Sequence, residues 1–371
     1  MIRSSVSIVR CKTYKTKEVE LAVKRAVDLL GGMEKFVKAK SRVLIKPNLL
    51  SARTPEEGVD THPEVIRAVA RLVKPITPHI FVGDSPGGWE LKEVDTVYEK
   101  SGTKKVCEEE GLQLVKFDKA TDMEGFPIAS IVKEVDSIIS IPKLKTHSIT
   151  TLTGAVKNMF GTVIGLAKAQ CHLKAPMPDE LSRLLVKIFA LTKPTLSVMD
   201  GVVGMEGEGP GAGPLRDIGL VIASQDAVAL DSVLAKIVGV NPSKVPTNLE
   251  ASKRNEGISD LSRIDTFGEK PEDVRIKDFK LPKASFVYNL PKPLLRLGLK
   301  NIRFHPDINK DKCQRCELCF KICPNGAIKK LENGVFEINI KKCIYCFCCH
   351  EVCPHKAIAL KKSLMARIIM R

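Results

Sequence analysis

Eight cysteines near the end of the 371-residue chain repeat at an offset of thirty positions, and no other feature restricts its fold as tightly. Cys313, Cys316, Cys319 and Cys323 recur as Cys343, Cys346, Cys349 and Cys353; Pro324, Ala327 and Ile328 recur as Pro354, Ala357 and Ile358. The lead-in repeats too, with Ile308-Asn309 and Lys312 matched by Ile338-Asn339 and Lys342. The unit is C-x2-C-x2-C-x3-C-P, written twice. Three cysteines on one tight loop can reach three irons of a cubane, while the fourth, expected to start a helix, points to the other half. The ligands should therefore cross over. Cys313, Cys316, Cys319 and Cys353 are assigned to one [4Fe-4S] cluster, and Cys343, Cys346, Cys349 and Cys323 to a second. Four thiolates around zinc is the competing reading, and the duplicated order with Pro after each fourth Cys argues against it.

Over about residues 306–361 these residues resemble the bacterial-type two-cluster ferredoxins, with all eight ligands matched. The resemblance implies a C-terminal α+β module that moves electrons one at a time. Two positions depart from the repeat. Cys348 stands where the first unit has Leu318, and reads as a small side chain beside the cluster that could compete as a ligand were Cys349 lost. His350 replaces Phe320 and reads as a hydrogen-bonding group that raises its cluster's potential.

Nine of the twelve cysteines lie between Cys313 and Cys353 at ligand spacing, which points to a reducing compartment and not to disulfides. No apolar run approaches the roughly twenty residues of a membrane helix, and the first twenty residues lack a secretory signal, so a cytoplasmic protein is expected. The net charge of +16 has a local explanation. From Pro306 onward thirteen Lys/Arg face six Asp/Glu, an excess that offsets the negative charge of thiolate-bound clusters. With 5% aromatic residues and a single Trp, stacking platforms for nucleic acid are scarce.

Residues 1–270 alternate short β-branched runs with amphipathic segments, the signature of an α/β domain with a mainly parallel sheet flanked by helices. Strands are expected at Val6–Val9, Val43–Ile45, Ile80–Val82, Ile138–Ile141, Leu196–Met199 and Leu220–Ala223. Helices are expected at Lys17–Leu30, Pro63–Val73, Leu91–Ser101, Asp179–Leu191 and Ala227–Val238, with Thr61 as a cap before Pro63. Residues 271–305, broken by Pro282, Pro291 and Pro293, read as a basic linker before the ferredoxin module at 306–371. Basic and apolar residues mix in Leu294–Phe304, which would either lie on a membrane surface or cover its own domain.

In open parallel sheets ligands bind beyond the carboxyl ends of the strands. Those ends carry Lys46-Pro47-Asn48, Gly83-Asp84-Ser85-Pro86-Gly87-Gly88 and Pro142-Lys143-Leu144-Lys145-Thr146-His147, and Leu196–Met199 leads through Asp200-Gly201 into a Gly-rich loop at 204–214. Lysines supply point charge and Gly-rich loops supply backbone N–H groups, a combination that suits a phosphate or carboxylate. Each member also has an ordinary reading, Lys46 as a solvated strand end and Asp84 as a turn cap. Neither nucleotide fingerprint is present. Glu206, Glu208, Asp226 and Asp231 read either as an oxygen-rich metal site or as loop charges.

Leu44-Ile45-Lys46-Pro47-Asn48, Gly83-Asp84-Ser85-Pro86-Gly87, Ile141 to His147, Gly154-Ala155-Val156-Lys157-Asn158-Met159-Phe160-Gly161 and Asp226 to Asp231 resemble the prokaryotic family known as domain of unknown function 362, over about residues 46–239. Its members are often fused to a two-cluster ferredoxin. The resemblance implies architecture and an anaerobic redox setting. The resulting expectation is an iron–sulfur redox protein whose α/β domain binds a small anion through Lys46, Asn48, Asp84, Lys143, Lys145, Lys157 and Asn158. His147 is the candidate proton donor, and an electron-transfer protein the expected partner. The alternatives are a non-enzymatic carrier or assembly factor that docks a partner, and a non-redox enzyme with structural clusters.

Overall fold

The computed structural model describes residues 2–87, 93–288 and 303–369. The start of the helix expected at Leu91, Gly88 and most of the Leu294–Phe304 segment lie outside the described residues.

Strands β1 (Ser4–Arg10), β2 (Val43–Pro47), β3 (Ile80–Val82), β4 (Gln113–Leu114), β5 (Ala120–Met123), β6 (Phe126–Ala129), β7 (Ser137–Ile141), β8 (Lys143–His147), β9 (Thr151–Leu152), β10 (Leu196–Met205), β11 (Leu215–Ser224) and β12 (Ile264–Gly268) follow in chain order. The main sheet runs β12-β1-β11-β10-β7-β2-β3-β4, with β8 on β10 and β9 on β8. Its pairs are parallel except those made by β11 with β1 and β10, and the β8–β9 pair.

Alternation explains why the sheet is buried on both faces. Val43 and Ile45 of β2, Ile139 and Ile141 of β7, and Val221 and Ala223 of β11 face one core, shared with helices α1 (Thr16–Asp28) and α2 (Pro63–Val73). Leu44, Ile138, Leu220 and Ile222 face the other. That second core is closed by α3 (Gly154–Asn158), α4 (Pro178–Leu191) and α5 (Ala227–Ile237). In α1 the buried residues Val19, Ala22, Val23, Ala26 and Val27 fall on one helical stripe. Each large apolar side chain so buried contributes about 1.5–3 kcal/mol relative to exposure.

Several boundaries differ from expectation for identifiable reasons. His62, not Thr61, caps α2, its ring accepting from the Glu64 N–H. Thr61 instead accepts from the Asn48 N–H and donates to the Ile141 carbonyl, tying the ends of β2 and β7. The strand expected to end at Ile141 is followed directly by another: Pro142 lacks an N–H and interrupts the ladder, which then resumes as β8 against β10. The described part of the linker also packs on the domain, since Val274 and Phe279 join the core that holds Val6 and Ile8.

In the C-terminal module, Phe304–Ile308 pairs antiparallel with Ile358–Lys362, and Ile328–Lys330 with Phe336–Ile338. The short helices Leu318–Ile322 and Cys348–Val352 carry the third cysteine of each unit. The module is not a separate bead. Leu318, Ile322, Cys346, Cys348 and Val352 share one core with Leu49, Ala52, Val97, Tyr98 and Ala169.

Candidate functional site

The carboxyl ends of β2 and β7 mark the point where the chain's direction across the sheet reverses, because β3 lies beyond β2 and β10 beyond β7. Most of the expected anion ligands gather here, but they do different things.

Lys46 points inward and meets Asp84 at 2.8 Å, both side chains essentially unexposed. Burial pulls the lysine's pKa down and pushes the carboxyl's up, and each partner opposes the shift in the other. Gly161 makes room for the pair, since a Cβ there would stand 2.1 Å from Asp84 Oδ1. Lys143 is likewise committed. Its ammonium lies 2.8 Å from Asp200 Oδ2 and donates to the Tyr14 hydroxyl at 2.6 Å, which donates to Asp200 Oδ1. Lys145 donates to the Val59 carbonyl at 2.7 Å. Burial lowers its pKa to about 7, with Asp60 as its opposing charge. Alternation along β8 puts Lys143, Lys145 and His147 on one side, and all three are buried.

His147 is fully buried. Its Nδ1 accepts from the N–H groups of Ile149 and Thr150, so the ring proton sits on Nε2, 3.0 Å from Glu351 Oε1 of the C-terminal module. Burial pulls its pKa down, with Lys157 adding to the effect and Glu351 opposing it. Although burial alone would raise it, the carboxyl of Glu351 is held at about 2 by His147, Lys157 and His172.

Asn48, Asp84, Lys157 and Asn158 line a cleft of about 80 Å³ between the α/β domain and the cysteine-bearing module. Asn48 donates to Asn158 Oδ1, and Asn158 donates to Ser140 Oγ, which fixes their orientation. Lys157 is half-buried and makes no hydrogen bond or ion pair among the described residues; its ammonium lies 6.0 Å from the Phe160 ring. Asp231 of α5 holds this segment in place by accepting from the Ala155 and Val156 N–H groups.

The far wall is Ile322, Cys348, Glu351 and Val352. Lys168 and His172, missed from sequence, complete the lining. They lie four apart on the helix Ala167–Lys174, a spacing that places both on one face and was a usable signal. Lys168 donates to Ser85 O and Oγ and to Pro86 O, and burial lowers its pKa to about 7. His172 Nδ1, Thr153 Oγ1 and Asn48 Oδ1 sit buried at the wall without a partner.

The acidic residues offered as a metal site do not converge. Asp226 caps α5, Asp231 caps α3, and Glu206 and Glu208 accept from the backbone N–H groups of Lys280 and Lys283. The Gly-rich loop is a seat for the C-terminal module, with Gly211 so close that a Cβ would stand 2.7 Å from the Glu351 carbonyl. His350 lies between two carbonyls, Nδ1 2.6 Å from that of Ile358 and Nε2 3.3 Å from that of Glu208, so its ring is placed at the boundary between the domains.

The eight cysteines surround two voids. Cys313, Cys316, Cys319 and Cys353 line one; Cys323, Cys343, Cys346 and Cys349 line the other, with Cys348 beside them. Cys323 and Cys353 terminate the short helices, where the sequence had suggested a start. Among the described residues no three His, Cys, Asp or Glu side chains meet as ligands of one ion. Thiols spread around a cavity suit a cubane, whose irons sit apart, better than zinc. Arg315 and Tyr345, and Glu317 and Phe347, adopt left-handed φ values of 56° to 65° at equivalent places in the two loops. Such backbone strain is tolerated where a loop must wrap a group. Ala327 and Ala357 donate their N–H groups to Cys323 and Cys353 sulfurs at 3.2 and 3.3 Å, equivalent contacts in the two repeats.

Residues 43–236 match the family described as a domain of unknown function (DUF362), and residues 302–357 match the 4Fe-4S dicluster domain. The chain belongs to the DUF362 family. A thylakoid-associated protein, sll1697, from Synechocystis sp. is 35% identical over 312 residues, covering 81% of this chain and 95% of its own. Pyruvate synthase subunit PorD from Methanocaldococcus jannaschii is 49% identical over 35 residues, 9% of this chain and 41% of its own. The lactate racemase apoprotein from Thermoanaerobacterium thermosaccharolyticum aligns at 15% identity with a TM-score of 0.35, covering 53% of this chain and 50% of its own. The dicluster match supports [4Fe-4S] clusters and electron transfer. No helix among the described residues is long and apolar enough to cross a membrane.

Proposed function

We propose that this DUF362 protein is a cytoplasmic, anaerobic iron–sulfur oxidoreductase with two [4Fe-4S] clusters, held by Cys313, Cys316, Cys319 and Cys353 and by Cys343, Cys346, Cys349 and Cys323. When bound, each cluster supplies one electron at a time, delivered by an electron-carrier protein, and two together supply a pair. The α/β domain binds a small anion in the interdomain cleft. Lys157 meets it, Asn48 and Asn158 shape the floor, and Lys46, Lys143 and Lys145 act by holding the strand ends through buried partners. His147 holds a proton on Nε2 facing Glu351 but is not among the residues that line the cleft, so His172 is the nearer candidate for a proton at the ligand.

One observation carries this reading: a cleft with an unpartnered lysine on one wall has the cluster-loop residues Cys348 and Glu351 on the other. The test is anaerobic reconstitution with iron and acid-labile sulfide analysis, then reoxidation of the reduced protein by small anionic oxidants. About eight irons per chain, and reoxidation that is lost in Lys157→Met, support the proposal. Zinc in place of iron, or about four irons, refutes the two-cluster assignment. Reoxidation indifferent to Lys157 refutes the cleft.

A further inference from the structure

The cleft narrows the class of ligand further, and this step rests on the reading just given. Three observations converge: size, charge and wall chemistry.

A volume of about 80 Å³ is small beside the roughly 300–1,000 Å³ of pockets that enclose drug-sized ligands, so the cleft suits a small guest. A nucleotide or a folded peptide segment would not be enclosed by it. Four charged side chains line the space, Lys157, Lys168, Asp84 and Glu351. Asp84 is neutralised from behind by Lys46, and Lys168 already serves three oxygens of Ser85 and Pro86. Burial lowers the pKa of His172 to about 4, so it adds no charge near neutrality. Among the described lining residues the uncommitted amine is Lys157; burial lowers its pKa and the neighbouring Glu351 carboxylate opposes that shift, as a bound anion would. A single negative charge is matched here. A second would be buried against Glu351 without a counter-charge, at a cost of several kcal/mol.

Apolar side chains reach the cleft from both domains, Leu49, Phe160 and Ala169 from one and Ile322 and Val352 from the other, opposite the polar Asn48, Ser85, Thr153 and Asn158. An inorganic oxyanion would leave the apolar side chains against a fully polar guest. Thr153 Oγ1 and His172 Nδ1, without partners among the described residues, stand at the polar side, where the hydroxyl can donate to a carboxylate.

We propose that the interdomain cleft binds a short-chain monocarboxylate, its carboxylate at Lys157 and Thr153 and its hydrocarbon end against Phe160, Ile322 and Val352. Dianions are excluded by charge, inorganic phosphate by its fully polar surface against the apolar side chains, and neutral amides lack the charge that Lys157 matches.

Calorimetric titration of the anaerobic holoprotein tests this with three probes of equal heavy-atom count: propionate, propionamide and inorganic phosphate. Propionate is expected to bind at least about tenfold more tightly than either of the others. Lys157→Met should weaken propionate binding by about tenfold or more, while Lys361→Met, at an exposed ion pair with Asp307, leaves it unchanged. Iron content and melting temperature of Lys157→Met are measured alongside, and Lys157→Arg should restore part of the affinity. Phosphate binding as well as propionate, with dependence on Lys157, overturns the ligand class and leaves the anion cleft standing. Propionate binding that ignores Lys157 overturns the placement. No binding by any probe at tens of millimolar overturns the ligand class, and the cleft reading falls with it if wild type also shows no Lys157-dependent reoxidation.

Discussion

Replacing Asp84 by Asn separates a structural Lys46 from a ligand-binding one. Asn keeps the shape and can still accept from the Leu49 N–H, which meets Asp84 Oδ2 at 2.8 Å. The charge, however, disappears. Lys46, with no exposed surface, is left with the Pro47 carbonyl at 3.1 Å. Breaking a buried pair from one side costs about 3–5 kcal/mol, because the remaining charge is uncompensated. There is a ceiling, since the ammonium can lose its proton instead. Neutralising a lysine of ordinary pKa ~10.4 at pH 7 costs about 1.36 kcal/mol per pH unit, or roughly 4.6 kcal/mol in all. The two routes agree on a loss of about 3–5 kcal/mol. Burial already depresses the folded-state pKa of Lys46, with Asp84 opposing it. Without Asp84 it falls further, and the unfolded chain binds more protons than the folded one from that lowered value up to the ordinary lysine range. Stability of the variant therefore rises with pH across that window, and its deficit against wild type shrinks as the solution becomes alkaline. Urea unfolding under anaerobic conditions, followed by far-ultraviolet circular dichroism at several pH values, measures this. Lys46→Met combined with Asp84→Leu should recover most of the loss, because an apolar pair replaces a buried ion pair at little net cost. A single-variant loss below about 1 kcal/mol, or a double variant no better than the single, would show that the pair is not the buried strut described.

Two further outcomes are expected. Arg53, itself 3% exposed, donates to the Cys353 carbonyl at 2.9 Å from across the domain boundary; Arg53→Met should lower the potential of the cluster assigned to Cys353 by several tens of millivolts, the one-electron equivalent of about 1–2 kcal/mol, and an unchanged potentiometric titration would mean that the guanidinium only packs. Cys323→Ser and Cys353→Ser should perturb opposite clusters, each distorting the signal of the unit to which the other three ligands belong, and electron paramagnetic resonance in which each change affects its own repeat would refute the crossover.

Local signals carried much of the fold. The β-branched runs at Val43, Ile80 and Ile138 and the stripe from Val19 to Val27 became buried strands and a helix because alternation and helical spacing are properties of a short window. Cysteine spacing carried further, since ligands must share a cavity whatever surrounds it. Partners could not be read this way. Lys143 announces a positive charge, but Asp200 lies 57 residues away, and only the β8–β10 register brings them together. The alternation of Lys143, Leu144 and Lys145 places both lysines on one side of an extended segment, but it does not show that this side is buried. His147 meets Glu351 only because the C-terminal module seats on the Gly-rich loop, a contact between surfaces that neither segment encodes alone. The free lysine of the cleft, Lys157, was recoverable as a charge, whereas Lys168 and His172 required reading a helix that follows no strand.

The most direct test of the account is a redox titration of the two clusters by electron paramagnetic resonance, with and without saturating propionate. Of the two voids, the one lined by Cys323, Cys343, Cys346 and Cys349 shares Cys348 with the interdomain cleft. A bound anion should therefore shift the midpoint potential of that cluster to lower values and leave its twin almost unmoved, and Lys157→Met should abolish the shift. Unchanged potentials for both clusters in wild-type protein shown by calorimetry to be loaded, or a shift confined to the cluster of Cys313, Cys316, Cys319 and Cys353, would contradict the claim that this protein brings its electrons to an anion held between its domains.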